Sequence, residues 1–375
     1  MLISFTTRPG EGSEGGVGWE FLVAAGEVSD RRREKLIAVI DERDEQAVRT
    51  AIAQNAGMDR IELRPVKVPG FLLERYGRRS TRQTYLGWWI GARRELRSIM
   101  ASEAVVNVHQ VTFATMSMPP VFLGIRRAHR IWGPVGMPHG LDSVSATWGP
   151  TLTWLLKGAG RLFCRSSDTV ITTNRATHDR VADLRRRVFV EPNIVVRDVL
   201  HALPSRTENQ LCLVGRLSGD KRPDIAIDLM KQDRFGRHTL AVIGDGPLRK
   251  GLESRVNSEG LSDRVTFLGK LPRAEAIHHM AHSRVLIHPS ESEGSPWVIG
   301  EAAAVGVPAV VFANSGAEST VELSDNGGAV AFSGTGDLAG ALGNALEDVL
   351  ARSAPEPTDR WSATRLPSLI EQWWK

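Results

Sequence analysis

The chain has 375 residues, of which 42% are hydrophobic, and 47 Lys and Arg against 43 Asp and Glu leave a formal net charge of +4. A single core rarely extends beyond about 250 to 300 residues, so this length favours two domains. The only cysteines, Cys164 and Cys212, exclude a disulfide framework or a zinc site and indicate a reducing compartment. The first residues lack the apolar core of a signal peptide, and Gly306 and Pro308 interrupt the longest apolar run, which predicts a cytoplasmic protein.

The first predicted elements are a short strand at residues 3–5, a glycine-rich loop at residues 10–18 and an apolar helix at residues 19–25. Glycine lets the backbone approach a ligand closely, and the amino terminus of the helix favours an anion. The spacing of Gly10, Gly12 and Gly15, with Asp41 further on, also fits a dinucleotide fingerprint. A nicotinamide cofactor therefore stays open locally, although it explains none of the motifs in the second half of the chain.

The first 200 residues are basic, with 29 Lys and Arg against 21 Asp and Glu. Part of this excess lies between residues 75 and 97, where arginines surround three aromatic residues. The set is Arg75, Arg78, Arg79, Arg82, Arg93, Arg94 and Arg97 around Tyr85, Trp88 and Trp89. Such a composition suits a helix on an anionic membrane or against an acidic acceptor, but Trp88, Trp89, Ala92 and Leu96 also have core spacing. No nucleic-acid-binding motif is recognisable.

A polar, proline-containing stretch at residues 201–210 separates two series of alternating strand and helix patterns. We therefore predict a first domain at residues 1–202 and a second at residues 203–354. A second linker begins the segment 355–375 and precedes a last helix. The apolar surface of that helix is supplied by Trp361, Leu366, Ile370, Trp373 and Trp374.

Repeated units of strand, turn and helix are predicted in the second half of the chain. Residues 211–214 form a strand that ends at a turn with Arg216 and Lys221, and residues 241–248 and 265–269 contain the next two strands. Arginine supplies a planar fork and lysine a point charge, so the pair can hold both phosphates of a diphosphate.

Glu293 and Glu301 lie eight positions apart in a loop that opens into a helix, after a strand at residues 284–287. The backbone amides of such a loop and first helical turn favour anions and hydroxyl oxygens. Glu301 can accept hydrogen bonds from a vicinal diol such as that of ribose. Solvated surface carboxylates are the commoner explanation for such a pair, but the neighbouring motifs favour a site.

These residues resemble the retaining GT-B glycosyltransferases of family 4, in both the order and the spacing of five motifs. The motifs are at residues 214–221, 243–247, 267–269, 289–294 and 301–302. The resemblance implies an α/β fold with two Rossmann-like domains that face each other across a cleft, and a carboxyl-terminal helix that packs back on the amino-terminal domain.

The resemblance also implies roles for individual residues. Arg216 and Lys221 would bind the donor diphosphate, Glu301 the ribose, and Glu293 with neighbouring amides the transferred sugar. The strand at residues 105–110 is similar to one that presents a histidine to the sugar, which makes His109 the candidate. The catalytic set is then Glu293, His109, Arg216 and Lys221, and the donor-binding set adds Gly15, Gly16, Gly244, Leu268, Leu271, Gly294, Ser295, Trp297 and Glu301.

A segment at residues 131–136 resembles one found in some bacterial members of that family, but Met137 and Pro138 replace its further glycines. The implied activity is transfer of a sugar from a UDP- or GDP-sugar to a hydroxyl of a glycan or lipid-linked saccharide, with retained configuration. No Asp-x-Asp sequence lies in a suitable loop, so neither a metal nor another cofactor is expected. A non-catalytic GT-B partner and another GT-B enzyme, such as a sucrose-type synthase, remain alternatives.

Overall fold

The structure is a computed structural model that describes residues 1–55, 57–77, 81–136, 150–184, 187–197, 205–291, 293–313, 316–331 and 336–375, without the side chains of Ser13 and residues 150–157. It contains two compact units. Unit 1 comprises Met1–Val195 and Ala363–Lys375, and unit 2 comprises Val196–Ser362. The predicted boundary at residues 202 and 203 lies outside the described residues, as do Arg78, Arg79, Met137 and Pro138.

Unit 1 is built on a seven-stranded parallel sheet in the order β3-β2-β1-β4-β5-β6-β7. The strands are β1 Leu2–Ser4, β2 Leu36–Asp41, β3 Ile61–Val66, β4 Asn107–Gln110, β5 His129–Val135, β6 Thr169–Thr172 and β7 Arg187–Val190. Every residue of β2 is buried. Continuous burial of this kind is typical of parallel strands covered by helices on both faces.

The described helices of this part are α1 Ser13–Arg31, α2 Glu45–Gln54, α3 Gly70–Tyr76, α4 Arg82–Ser102, α5 Pro150–Arg165 and α6 Arg175–Asp179. The start of α1 differs from the prediction, because the helix begins six residues before residue 19 and contains three of the five glycines. A β-carbon at Gly18 would lie 1.9 Å from the carbonyl oxygen of Thr6. Glycine at this position therefore lets the helix pack closely on the loop after β1.

Unit 2 contains a six-stranded parallel sheet in the order β10-β9-β8-β11-β12-β13. The strands are β8 Thr207–Val214, β9 Thr239–Ile243, β10 Val265–Gly269, β11 Ser283–His288, β12 Ala309–Phe312 and β13 Ala329–Ala331. The helices are α7 Pro223–Met230, α8 Arg249–Ser258, α9 Arg273–Ala281, α10 Trp297–Ala304, α11 Gly316–Ser324 and α12 Leu338–Leu350. Among the described residues of this unit, one apolar cluster packs around Leu229, Ile287 and Leu346 and another around Met280, Ile299 and Val311.

The last helix, α13 Leu366–Trp373, belongs to unit 1 and packs against α1. The rings of Phe21 and Trp373 stack with centroids 6.2 Å apart, and Arg31 lies 3.3 Å from Glu371. The prediction that a carboxyl-terminal helix packs back on the amino-terminal domain is confirmed. Trp361 differs from the prediction, since it lies in unit 2 and its indole donates to Ser324 Oγ at 2.9 Å.

Candidate active site

Several of the predicted site residues meet in unit 2 at the carboxyl ends of the central strands. A cavity of about 230 Å³ lies there. Its lining comprises Leu213, Val214, Gly215, Arg216, Lys221, His288, Pro289, Glu293, Pro296, Trp297 and Val298. The structure therefore brings together both predicted phosphate-binding cations, the first carboxylate of the pair and the first residue of α10. Ligands commonly bind at this edge of a parallel sheet.

Glu293 is the centre of the polar network in this cavity. Its Oε1 accepts from Lys221 Nζ at 2.6 Å and from His288 Nε2 at 2.9 Å. Burial raises the pKa of this carboxyl, but the hydrogen bonds and charges of His288 and Lys221 outweigh burial and lower the pKa to about 2. Glu293 is therefore a carboxylate at neutral pH, and no described residue donates to its second oxygen.

His288 is a further residue of the site that the sequence motifs do not identify. It is the last residue of β11 and is buried. Its position in the sequence could have indicated this role. The histidine ends a strand five positions before a candidate carboxylate, and the carboxyl end of a parallel strand faces the site. Its partner could not be identified without the path of the loop.

Arg216 and Lys221 lie in one turn but have different surroundings. Arg216 is exposed and forms no ion pair with any described residue, whereas Lys221 pairs with Glu293. The backbone holds the turn against the loop after β11, since the Asp220 carbonyl accepts from Ser290 Oγ at 3.1 Å and from the Glu291 amide at 3.3 Å. These contacts hold the turn beside the loop that carries Glu293, and Arg216 and Lys221 both line the cavity.

Gly244 lies beside this turn but does not line the cavity. Its φ is +143°, and a β-carbon there would lie 1.8 Å from the Gly215 carbonyl oxygen. The Gly215 amide in turn donates to the Ile243 carbonyl at 2.9 Å. Gly244 therefore permits close packing of the loops after β8 and β9.

Glu301 lies one turn into α10 and forms a separate contact. Arg273 Nε, at the start of α9, donates to Glu301 Oε1 at 2.6 Å. The Arg273 guanidinium also lies 5.0 Å from the centre of the Trp297 ring. Arg273 therefore connects Glu301 to a side chain that lines the cavity, and the sequence analysis did not identify it.

Four other predicted donor residues lie on neighbouring segments of unit 2. Leu268 and Leu271 are half-buried and do not line the cavity, and Leu268 packs against the cluster around Met280. The Gly294 carbonyl lies against the start of α11, 2.2 Å from the position of a β-carbon on Gly316. Ser295 Oγ is buried without a hydrogen-bond partner among the described residues, and the same holds for Trp297 Nε1.

The predicted residues of unit 1 have different outcomes. Gly15 and Gly16 lie in the first turn of α1, and the Gly15 carbonyl accepts from the Arg8 amide at 2.8 Å. Their contact with donor phosphates stays a prediction. Asp41, the acidic residue of the nicotinamide alternative, is buried and paired with Arg43.

The structure contradicts a sugar contact for His109, because this side chain is fully buried within unit 1. The Trp374 indole donates to His109 Nδ1 at 3.3 Å, so the proton lies on Nε2, which donates to the Gly133 carbonyl at 2.9 Å. Burial lowers the pKa of His109 to about 3. Both nitrogens of a neutral ring are therefore occupied by the protein.

The aromatic residues of the basic segment also have structural roles. Tyr85 and Trp88 are fully buried. Along α4, the tips of Tyr85, Trp89 and Arg93 donate to the carbonyls of residues 119, 120, 121 and 123, at distances from 2.7 to 3.2 Å. These three side chains therefore fix the segment after β4 and are not part of a free basic surface.

Comparison with known proteins identifies the part of the chain that holds this cavity. Residues 201–360 match the family described as glycosyl transferases group 1. The match is confined to this segment, which contains every residue that lines the cavity. The 2-deoxystreptamine glucosyltransferase of Streptomyces kanamyceticus is 28% identical over 185 residues, which are 45% of this chain and 46% of that protein. The amylovoran biosynthesis glycosyltransferase AmsK of Erwinia amylovora is 30% identical over 153 residues, 38% of this chain and 36% of that protein. The chain thus spans less than half the length of these curated relatives.

Solved structures extend the likeness in fold to the whole chain. HepE of Anabaena, crystallised with UDP and glucose, superposes with a TM-score of 0.59 at 18% identity, over 99% of this chain and 98% of that one. The predicted GT-B fold, with two Rossmann-like α/β domains, is confirmed. Within the described part of the chain, the helices lack the combination of length and hydropathy that is needed to cross a membrane.

Proposed function

We propose that the protein is a retaining glycosyltransferase that moves a sugar from a UDP- or GDP-sugar to a hydroxyl of a glycan or lipid-linked saccharide, in cell-envelope or polysaccharide biosynthesis. The observation that carries the proposal is the cavity in which Glu293, Lys221 and Arg216 meet. The glycosyl transferases group 1 segment, which contains all three residues, supports the same activity.

Arg216 and Lys221 bind the donor diphosphate in this proposal. Arg216 is exposed and has no acidic partner among the described residues, so its guanidinium can bind phosphate oxygens without breaking an ion pair. The first amides of α10 add donors, because the first turn of a helix leaves backbone N–H groups without partners. Both kinds of donor stabilise the negative charge that grows on the leaving diphosphate.

Glu293 orients the transferred sugar. Its Oε1 is occupied by Lys221 and His288, which leaves Oε2 to accept from a sugar hydroxyl. Ser295 Oγ and Trp297 Nε1 are buried polar groups without described partners, an arrangement that costs stability unless a ligand pairs with them. Nearby carboxylate charge also stabilises positive charge that develops on the anomeric carbon.

The chemical step exchanges one bond for another at the anomeric carbon. The bond to the diphosphate oxygen breaks, with its electron pair leaving on the diphosphate, and the acceptor oxygen bonds to the same face. The acceptor proton passes to the departing diphosphate, so no protein nucleophile is required. This sequence of events is what the family resemblance implies. Metal independence is proposed because no Asp-x-Asp sequence lies in a suitable loop.

The acceptor is the less constrained half of the proposal. A lipid-linked acceptor would bring the enzyme to the surface of an anionic membrane as a peripheral protein of the cytoplasm. The excess of basic residues in the first half of the chain supports this association.

The proposal is tested by incubating the protein with UDP-, GDP- and ADP-sugars without an acceptor and determining the anomer of the released sugar. We expect slow hydrolysis of one donor with the α or β configuration of that donor retained. Inverted product would contradict retention, and absence of hydrolysis and of transfer to any saccharide tested would contradict the activity.

The non-catalytic alternative is separated by binding. A nucleoside diphosphate that binds only the folded protein raises its melting temperature, by an amount that grows with the ratio of ligand concentration to Kd. We expect such a shift together with turnover. A shift without turnover of any donor would favour the non-catalytic partner.

A further inference from the structure

Helix α4 carries an exposed face that the contacts of unit 1 leave uncovered. Leu86 and Ile90 lie four residues apart on this face and are 44% and 50% exposed. Arg94 and Arg97 continue the same face at helical spacing, and Arg82 lies at its start; all three are exposed. The opposite face holds the buried Trp88, Ala92 and Leu96.

Helix α3 adds a third apolar side chain beside this face. Phe71 is 67% exposed. The neighbouring Leu72 packs against α4, because a β-carbon at Gly87 would lie 2.3 Å from Leu72 Cδ1. Three of the six large apolar side chains that are exposed in the described residues therefore occur on these two helices, whereas Val106, Leu162 and Leu248 lie singly elsewhere in the chain.

The charged side chains on the exposed face of α4 are all arginines. Within the described chain, Arg82, Arg94 and Arg97 form no ion pair, although many other arginines of the protein do. Glu95 is the only acid of α4 and lies 3.8 Å from Arg64, and α3 contributes one acid, Glu74, beside Arg75. Arg93 is excluded from the set, because its guanidinium donates to carbonyls of the segment after β4.

We propose that Phe71, Leu86 and Ile90, flanked by Arg82, Arg94 and Arg97, form the surface by which unit 1 docks on an anionic lipid bilayer. We call this set the α3–α4 surface. A bilayer offers headgroup phosphates to the guanidinium groups and an acyl boundary to the apolar side chains at the same place. The inference deepens the proposed function by assigning the membrane contact, but vesicle binding does not depend on transferase activity.

The test measures sedimentation of the purified full chain with phosphatidylcholine vesicles, with and without phosphatidylglycerol. We expect binding only to the anionic vesicles and weaker binding as salt is added. The paired change Arg94→Ser with Arg97→Ser should weaken binding by about thirtyfold. Leu86→Ser with Ile90→Ser should weaken it by about tenfold or more, while all variants keep the melting temperature of the wild type.

Val106→Ser is the matched control, since Val106 is 71% exposed in unit 1 but lies outside the α3–α4 surface. It should bind like the wild type. Equal binding to neutral and anionic vesicles, equal loss in the control, or unchanged binding of both paired variants would overturn the proposal. Absence of binding to anionic vesicles would also overturn it, and a dimer that Leu86→Ser and Ile90→Ser dissociate would then assign the surface to a second copy.

Donor hydrolysis without acceptor distinguishes this inference from the proposed function. The paired variants should hydrolyse the donor at the wild-type rate, because their changes lie in unit 1 and the donor cavity lies in unit 2. Vesicle binding by a protein that hydrolyses no donor would contradict the transferase activity and leave the docking surface supported.

Discussion

One oxygen of Glu293 accepts two hydrogen bonds, and this arrangement keeps the carboxyl ionised. Because Lys221 and His288 lower its pKa to about 2, Glu293 cannot supply a proton near neutral pH. It can accept from a hydroxyl and stabilise positive charge. Its chemistry is therefore that of an orienting carboxylate rather than a general acid.

The low pKa of Glu293 predicts a pH dependence of stability. Its pKa in the folded protein lies below the ordinary 4.5, so ionisation stabilises the folded state above pH 4.5, and this contribution is lost as the pH falls towards about 2. The contribution is on the order of 3 kcal/mol. We expect Glu293→Gln to lower the free energy of unfolding at pH 7, and its difference from wild type to shrink as the pH approaches 2. Urea unfolding at a series of pH values measures this, and a difference that is constant with pH would contradict it.

Arg216→Ala should lower turnover by about a hundredfold or more, because phosphate charge would lose a fixed cation in the transition state. The melting temperature should stay unchanged, since Arg216 is exposed and unpaired among the described residues. Arg237→Ala is the matched control, because this exposed arginine precedes β9 and so lies at the amino ends of the strands, away from the cavity. Donor hydrolysis and thermal unfolding compare the variants. Wild-type turnover in Arg216→Ala would remove this residue from the site.

Arg273→Ala should raise the KM for the donor by about tenfold, with a smaller change in kcat. The reason is that Arg273 fixes Glu301 and lies over Trp297, so its loss frees two groups that we expect to bind the donor before reaction. Arg273→Lys keeps a charge but not the planar guanidinium and should recover only part of the affinity. Steady-state kinetics measures both variants, and an unchanged KM would indicate that Glu301 does not depend on Arg273.

At the scale of single elements, the strands were more predictable than the helix starts. Runs such as residues 211–214 and 284–287 are continuous apolar segments that end at turn residues, so their type and their carboxyl ends were visible in the sequence. Helix α1 was predicted too late, because three glycines near its start suggested a loop. The sequence does not reveal that the Thr6 carbonyl occupies the space of a side chain at Gly18.

Gly18→Ala tests that explanation. A methyl group would overlap the Thr6 carbonyl at 1.9 Å and Ser4 Oγ at 2.5 Å, and overpacking of this kind costs about 1–3 kcal/mol. Gly251→Ala is the control, because Gly251 lies inside helix α8 and a β-carbon there meets no atom within 4 Å. We expect a lower melting temperature only in Gly18→Ala. Equal melting of the two variants would mean that α1 adjusts without cost.

Helix α4 illustrates why composition alone left the roles of several side chains open. Its periodicity predicted a core stripe of Trp88, Trp89, Ala92 and Leu96, of which Trp89 is only half-buried and the other three are buried. The same periodicity cannot show that Tyr85, Trp89 and Arg93 reach the carbonyls of residues 119–123, because those contacts join segments about thirty residues apart.

At the scale of the whole molecule, the site residues of unit 2 were easier to predict from the sequence than those of unit 1. The donor residues of unit 2 follow strands in a fixed order, so parallel topology alone brings Arg216, Lys221 and Glu293 to one sheet edge. His109 was misassigned because its environment is completed by Trp374, 265 positions away. The pattern of a strand carries no information about such a distant partner. His109 was therefore predicted to contact a sugar, whereas it is a core residue.

The division of unit 1 between the two ends of the chain has a consequence for its synthesis. The ribosome synthesises all of unit 2 before α13. The contacts of Phe21 with Trp373 and of His109 with Trp374 can therefore form only after unit 2 has been made. The first half of the protein to be translated is thus the last to be completed. A nascent chain stalled before residue 363 should therefore expose apolar surface of unit 1 to molecular chaperones, whereas unit 2 can already be folded.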